Sequence, residues 1–284
     1  MKDSPKQTDR ETLWTSTTVP SSRGHLRVVY PTNESYWPAL AKEYWAGTLT
    51  GLREVDSSPF CTVQLAEDLH GAGACYLKRF HIRRLRDYIK RYLRPSRAKR
   101  ALLGGDTATR AGFRVVQPRC LIEHRRGPFR LESALITTAL RNTVDVRQML
   151  NDPSLGTAGD RDAKHLFIRS FAQEVGQWHK SGLYHGDMRL GNILCRREGK
   201  GFVFFWLDNE RTRRYWRLPK RLRVRNLVQV NMETGGVTLA DRMRFWTTYT
   251  EAAGIPAADA DVLRKQVILR TQERWKKRGW LPQG

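Results

Sequence analysis

The chain has 284 residues, 40% hydrophobic and 28% charged, a composition that fits a globular protein and excludes a disordered or fibrous one. Its 51 Lys and Arg against 28 Asp and Glu give a formal net charge of +23, which favours anionic partners such as nucleic acid, an anionic membrane surface or a phosphorylated substrate. The cysteines, Cys61, Cys75, Cys120 and Cys195, form no C-x-x-C pair and have no His-rich neighbour at zinc spacing, so neither a disulfide framework nor a zinc site is supported. Met1 to Trp14 lacks the apolar core of a signal peptide, and no run approaches the roughly 18 apolar residues of a membrane span. The expectation is a cytosolic chain in a reducing compartment that can work peripherally at a membrane.

Residues 1–24 are polar and aperiodic and read as a disordered or loosely attached arm. Tyr36 to Leu49 has helical apolar spacing. Phe60 to Leu65 and Ala74 to Phe80 read as strands around a turn at Asp68 to Gly73. Lys78, set among apolar residues in what reads as the third strand of a small sheet, is the candidate cation for the α- and β-phosphates of ATP. The preceding turn, Asp56-Ser57-Ser58-Pro59, has no glycine, so its backbone N–H groups and the hydroxyls of Ser57 and Ser58 would have to cradle phosphate.

His81 to Arg100 is strongly basic, with Asp87 its single acid, and Pro95-Ser96 predicts a helix capped by Ser96 and running to about Thr109. That helix offers Asp106 as the only carboxylate to pair with Lys78. Phe113 to Val116, Cys120 to Glu123 and Leu131 to Leu140 read as strands closing the sheet, and Ile136 to Leu140, centred on Thr138, as a hinge whose main chain would meet adenine. Asp160 to Lys180 predicts an amphipathic helix with Leu166, Phe167, Phe171, Val175 and Trp178 on one face, and His165 and His179 as surface or capping residues. Two further helices are expected over Leu239 to Ala253 and Ala257 to Trp275. The division is an arm (1–24), an N-terminal lobe (25–138) and a C-terminal lobe (139–284).

The chemistry concentrates in Tyr184 to Arg214. Asp187 is followed five residues later by Asn192 in His185-Gly186-Asp187-Met188-Arg189-Leu190-Gly191-Asn192, the catalytic-loop spacing of protein-kinase-like phosphotransferases. Two short apolar runs follow, one starting at Asn192 and one ending at Asp208, and a hairpin would bring both side chains to one edge as oxygen ligands for Mg²⁺. In this reading Asp187 takes the acceptor's proton, Arg189 stabilises the transferring group, and His185 props the loop. From Arg211 to Arg225 the chain carries eight basic residues and no acid, so Arg211, Arg213 and Arg214 are the expected acceptor-binding residues.

Lys78, the His185–Asn192 loop and Leu207-Asp208-Asn209-Glu210 closely resemble the lipopolysaccharide core kinases, the Kdo/heptose kinases known as WaaP- or InaA-like. The resemblance runs from about Arg53 to about Tyr249 and takes in Arg225-Asn226-Leu227 and Asp241 to Phe245. It implies an α+β, protein-kinase-like two-lobe fold, with a small β-rich N-lobe and a mainly α-helical C-lobe. It also implies ATP, Mg²⁺, and phosphate transfer to a hydroxyl of an inner-core sugar on an anionic glycolipid, at the cytoplasmic face of the inner membrane. Asp208-Asn209-Glu210 stands where protein kinases have Asp-Phe-Gly, which weighs against an ordinary protein kinase. The rivals are a small-molecule kinase of the aminoglycoside or choline type and a pseudokinase that binds nucleic acid through the basic stretch with Tyr88 and Tyr92. Cationic substrates disfavour the first; the intact Lys78, Asp187, Asn192 and Asp208 disfavour the second.

Overall fold

The computed structural model describes residues 14–55, 59–81, 94–126, 129–152, 155 and 161–280. The chain divides into two compact units, one of residues 1–99 and 117–139, the other of residues 100–116 and 140–284.

The first unit is built on a seven-stranded antiparallel sheet. Its strands are β1 (Trp14–Ser21), β2 (Gly24–Pro31), β3 (Leu52–Val55), β4 (Cys61–Ala66), β5 (Cys75–Phe80), β6 (Pro118–Arg126) and β7 (Phe129–Thr138), in the order β1-β2-β6-β7-β5-β4-β3. Alternation selects the buried face: Leu26 and Val28, Cys75 and Leu77, Cys120 and Ile122, Ala134 and Ile136 all point into one apolar cluster. Helix α1 (Trp37–Ala46) covers that face with Trp37, Leu40, Ala41 and Tyr44. Its Trp37 Nε1–H donates to Glu34 (2.6 Å), which Arg119 holds from the other side (2.8 Å).

Three expectations change here. Residues 14–21 are no arm but an edge strand, paired along its length with β2; residues 1–13 lie outside the described residues. Lys78 stands on the fifth strand in chain order, because the β1–β2 hairpin adds two strands ahead of β3 and β4. Phe113 to Val116 adds no strand to this sheet and belongs to the second unit, where Val115 bridges to Trp206.

Helix α2 (Arg97–Thr109) starts as the capping signal predicts, with Ser96 Oγ accepting from Lys99 N–H (3.0 Å). The second unit continues with β8 (Val144–Asp145), α3 (Val146–Leu150), α4 (Arg161–Lys180), β9 (Leu183–Tyr184), the hairpin β10 (Ile193–Glu198) and β11 (Gly201–Trp206), β12 (Arg213–Arg214), α5 (Lys220–Val230), α6 (Leu239–Ala252) and α7 (Ala257–Lys277). The core of this unit centres on α4, whose Phe167, Phe171, Val175 and Trp178 are buried at helical spacing. Leu166, one step off that stripe, is exposed. Trp178 stacks on Trp206 at 3.9 Å between centroids, and Phe113 meets Trp178 edge-on at 4.9 Å. His179 is no surface or capping residue: it is buried, with Nδ1 2.9 Å from Tyr249 Oη and Nε2 3.3 Å from Asn226 Oδ1.

Two predictions follow from these contacts. A Cβ on Gly104 of α2 would lie 1.9 Å from the carbonyl oxygen of Asn209, whereas one on Gly105 would meet nothing closer than 3.8 Å. Gly104→Ala is therefore expected to cost about 1–3 kcal/mol, and Gly105→Ala to be neutral or stabilising by up to about 1 kcal/mol, in denaturant titrations. Second, burial lowers the His179 pKa to about 3, while in the unfolded chain it is about 6.5. Between those values the unfolded state binds more protons, so stability falls as pH drops. From pH 7 to pH 5.5 this one residue should remove about 1 kcal/mol, an increment absent from His179→Gln; equal pH slopes in the two proteins would contradict it.

Candidate active site

The site is a chain segment folded back on itself. Strand β9 leads into the loop 185–189, a 3₁₀ turn spans Leu190–Asn192, the β10–β11 hairpin follows, and a second 3₁₀ turn (Asn209–Arg211) delivers β12 to pair with β9. The register Ile193↔Trp206 puts Asn192 beside Leu207, and Leu207 N–H donates to Asn192 O at 2.9 Å. Leu207 O accepts from Nε2 of the buried His185 at 2.8 Å. Both peptide groups of the residue before Asp208 are thus held by the loop that carries Asp187.

That geometry fixes the state of His185. Its Nε2 faces a carbonyl and must carry the proton, while Nδ1 accepts from Asp187 N–H at 3.2 Å. Burial lowers its pKa, so the ring is neutral and acts as a prop. Gly186 is required by close approach: a Cβ there would lie 2.1 Å from Cβ of Arg211, whose stem crosses the loop.

Asp187 is gripped by the guanidinium of Arg189, Nε to Oδ1 at 2.7 Å and Nη2 to Oδ2 at 2.8 Å. Burial pushes its carboxyl upward, but the Arg189 hydrogen bonds and charge, with help from Arg211, hold it below the usual carboxylate range. It is ionised at neutral pH and can accept a proton. Asn192 donates its Nδ2 to Asp187 O at 2.9 Å, which leaves its Oδ1 as the outward atom. Asp208 has left-handed backbone, φ 52° and ψ 45°, a conformation that non-glycine residues adopt at a cost and that clusters at functional sites. Among the described residues no group of three or more His, Cys, Asp or Glu could hold a metal ion. The donor set of Asn192 and Asp208 is oxygen only and two-membered, which suits a hard cation that completes its shell with water and phosphate.

Asn209, next to Asp208, is buried and serves the turn, donating to Trp206 O (3.2 Å) and accepting from Thr212 Oγ1 (3.0 Å). Glu210 lies 3.5 Å from Arg211. Arg213 and Arg214 are exposed on β12, opposite Tyr184 and Leu183. The second unit therefore brings together Asp187, Arg189, Asn192, Asp208 and Arg211, with Arg213 and Arg214 alongside.

Lys78 and Thr138 belong to the first unit. Lys78 sits between Val63 and Leu135, its Nζ 5.5 Å from the centroid of Phe80. Thr138 ends β7 and its N–H donates to Gln117 O (3.0 Å), while Ala139 N–H donates to Ala74 O (2.8 Å). Asp106, expected as partner of Lys78, pairs instead with Arg110 one helical turn on, at 3.0 Å. Ser57 and Ser58 lie outside the described residues, as do residues 82–93 of the basic stretch.

Three groups escaped the sequence reading of the site. Asn226 and Gln229 on α5 hold the backbone of the 185–189 loop. Asn226 Oδ1 accepts from His185 N–H (3.2 Å), and Gln229 Oε1 accepts from Met188 N–H (3.1 Å). Trp216, just past β12, is 99% exposed. The i, i+3 spacing of Asn226 and Gln229 was visible, but nothing in it distinguished this face of α5 from a solvated one.

Residues 44–249 match the lipopolysaccharide kinase (Kdo/WaaP) family. The fold is similar to that of WaaP, solved in complex with acyl carrier protein, with a TM-score of 0.63 at 18% identity over 90% of this chain and 98% of that one. Comparison with curated proteins returns no match. A match over most of the chain, which takes in the loop described above, makes this protein a member of the lipopolysaccharide kinase (Kdo/WaaP) family, phosphotransferases that act on sugar hydroxyls.

Proposed function

We propose that the protein transfers the γ-phosphate of ATP to a hydroxyl of a Kdo or heptose residue in the lipopolysaccharide inner core, with Mg²⁺ as the metal. The observation that most supports this reading is the double clamp on Leu207, which ties the loop carrying Asp187 and Asn192 to the residue before Asp208 at the end of the β10–β11 hairpin. Asp187 accepts the proton of the acceptor hydroxyl, and Asn192 Oδ1 and the Asp208 carboxylate hold the metal. When bound, Mg²⁺ neutralises charge on the phosphates. Arg189 holds Asp187 ionised and offers positive charge to the transferring group's oxygens. Lys78, with its fixed strand position, is the residue for the α- and β-phosphates, Ser57 and Ser58 for phosphate cradling, and the Thr138 carbonyl, whose N–H is already engaged, for the base.

Arg211, Arg213 and Arg214 face an anionic acceptor, and the exposed indole of Trp216 gives it an aromatic surface against which a sugar ring can lie. The glycolipid is met at the anionic cytoplasmic face of the inner membrane. No described helix is long and apolar enough to cross a membrane, which fits peripheral attachment. No observation favours the aminoglycoside-type or nucleic-acid-binding readings over this one.

Asp187→Asn is expected to reduce turnover by a factor of about 100 or more while leaving ATP affinity nearly unchanged, because the carboxylate acts on the acceptor. Retention of most of the wild-type kcat would remove Asp187 from that role. Asp208→Asn is expected instead to weaken Mg·ATP binding, measured by titration of the nucleotide at varied Mg²⁺. Neutralising Arg211, Arg213 and Arg214 together should raise KM for a soluble, delipidated core oligosaccharide, more at low salt than at high. If that KM is unchanged and only vesicle binding falls, the segment is a membrane anchor and the acceptor site lies elsewhere.

A further inference from the structure

Gln229 has a role beyond supporting the loop, and its orientation is dictated by the backbone. Asn226 is wholly buried and clamped to one residue: its Oδ1 accepts from His185 N–H (3.2 Å), and its Nδ2 donates to His185 O. A carbonyl cannot donate, so the Asn226 amide has one possible orientation. Its second Nδ2 proton then points to Gln229 Oε1 (3.2 Å), which also accepts from Met188 N–H (3.1 Å). Both lone pairs of Oε1 are filled, and the Gln229 amide nitrogen must face the other way. There it meets Asp187 Oδ1 at 3.3 Å.

The two oxygens of Asp187 are therefore unequal. Among the described residues Oδ1 receives Arg189 Nε and Gln229 Nε2, whereas Oδ2 receives only Arg189 Nη2. A carboxylate oxygen with two donors has little capacity left; one with a single donor can accept another proton. We propose that Gln229 is a positioning residue for phosphoryl transfer: its amide saturates Asp187 Oδ1 and fixes the carboxylate plane, so that Oδ2 is the oxygen that takes the acceptor's proton. The acceptor O–H bond breaks toward Oδ2 as the acceptor oxygen bonds to the γ-phosphorus and the bond from phosphorus to the bridging oxygen of ADP breaks. This rests on the reading of Asp187 as the base.

The test compares Gln229→Glu and Gln229→Met with wild type and with Asp187→Asn, using kcat and KM for Mg·ATP and for a core oligosaccharide, and thermal melting. Gln229→Glu keeps an oxygen for Met188 N–H and Asn226 but replaces the donor to Asp187 with an acceptor; Gln229→Met keeps the volume and removes both functions. Both are expected to lower kcat by roughly tenfold or more with KM for Mg·ATP within about twofold, the Glu variant melting close to wild type. Wild-type kcat in both variants while Asp187→Asn is inactive would overturn the role of Gln229 and leave the base standing. An active Asp187→Asn would overturn both. Loss of kcat that follows lost melting temperature and is restored in full by Gln229→Glu would show a purely structural residue and equally overturn the proposal.

Discussion

Everything at the site depends on how Leu207 is held. Its N–H goes to Asn192 O and its carbonyl to His185 Nε2, so a residue with an apolar side chain and no chemistry of its own sets the relation between the 185–192 loop and Asp208. The bond from His185 to Leu207 O needs a proton on Nε2, and the bond that Nδ1 accepts from Asp187 N–H needs a neutral ring. Burial beside Trp178 and Trp206, at 6.0 and 5.5 Å between ring centroids, ensures the neutral form. The core of the second unit and the electrostatics of the site are thus one arrangement.

From that clamp the polar network extends into the core, where a polar group left without a partner costs roughly 1–3 kcal/mol. Asn226 reaches the His185 backbone, His179 reaches Asn226, Tyr249 reaches His179, and Arg223 donates to Tyr249 at 3.4 Å. The linked bonds fix amide orientations and ring states together. The result is a 185–189 loop whose backbone is hydrogen-bonded to α5 while the Asp187 carboxylate stays partly open to solvent.

The sequence made the site legible where spacing carries geometry. Asp187 and Asn192 five residues apart, then two apolar runs ending at Asp208, could be read as a loop and hairpin because both runs are short, apolar and joined by a charged, glycine-containing turn. Ser96 announced the start of α2 by capping chemistry. What stayed hidden depended on tertiary pairing. Trp14–Ser21 is a strand rich in Thr and Ser stabilised by its ladder to β2, and of its half-buried positions Val19 alone is apolar, too little to reveal it. Phe113 and Val115 have strand-like side chains, yet they are buried in the other unit's core. His179 lies at a helix end, where histidines usually cap, and only the arrival of Asn226 and Tyr249 makes it a core residue.

The central claim is that this edge of the β10–β11 hairpin moves phosphate from ATP to an inner-core sugar. The most direct measurement is incubation of the protein with Mg·ATP and purified, unphosphorylated core glycolipid, followed by tandem mass spectrometry of the product. The account predicts a metal-dependent gain of one phosphate on a Kdo or heptose hydroxyl. Transfer that proceeds without divalent metal, or phosphate found only on lipid, peptide or water while Mg·ATP binds normally, would contradict it.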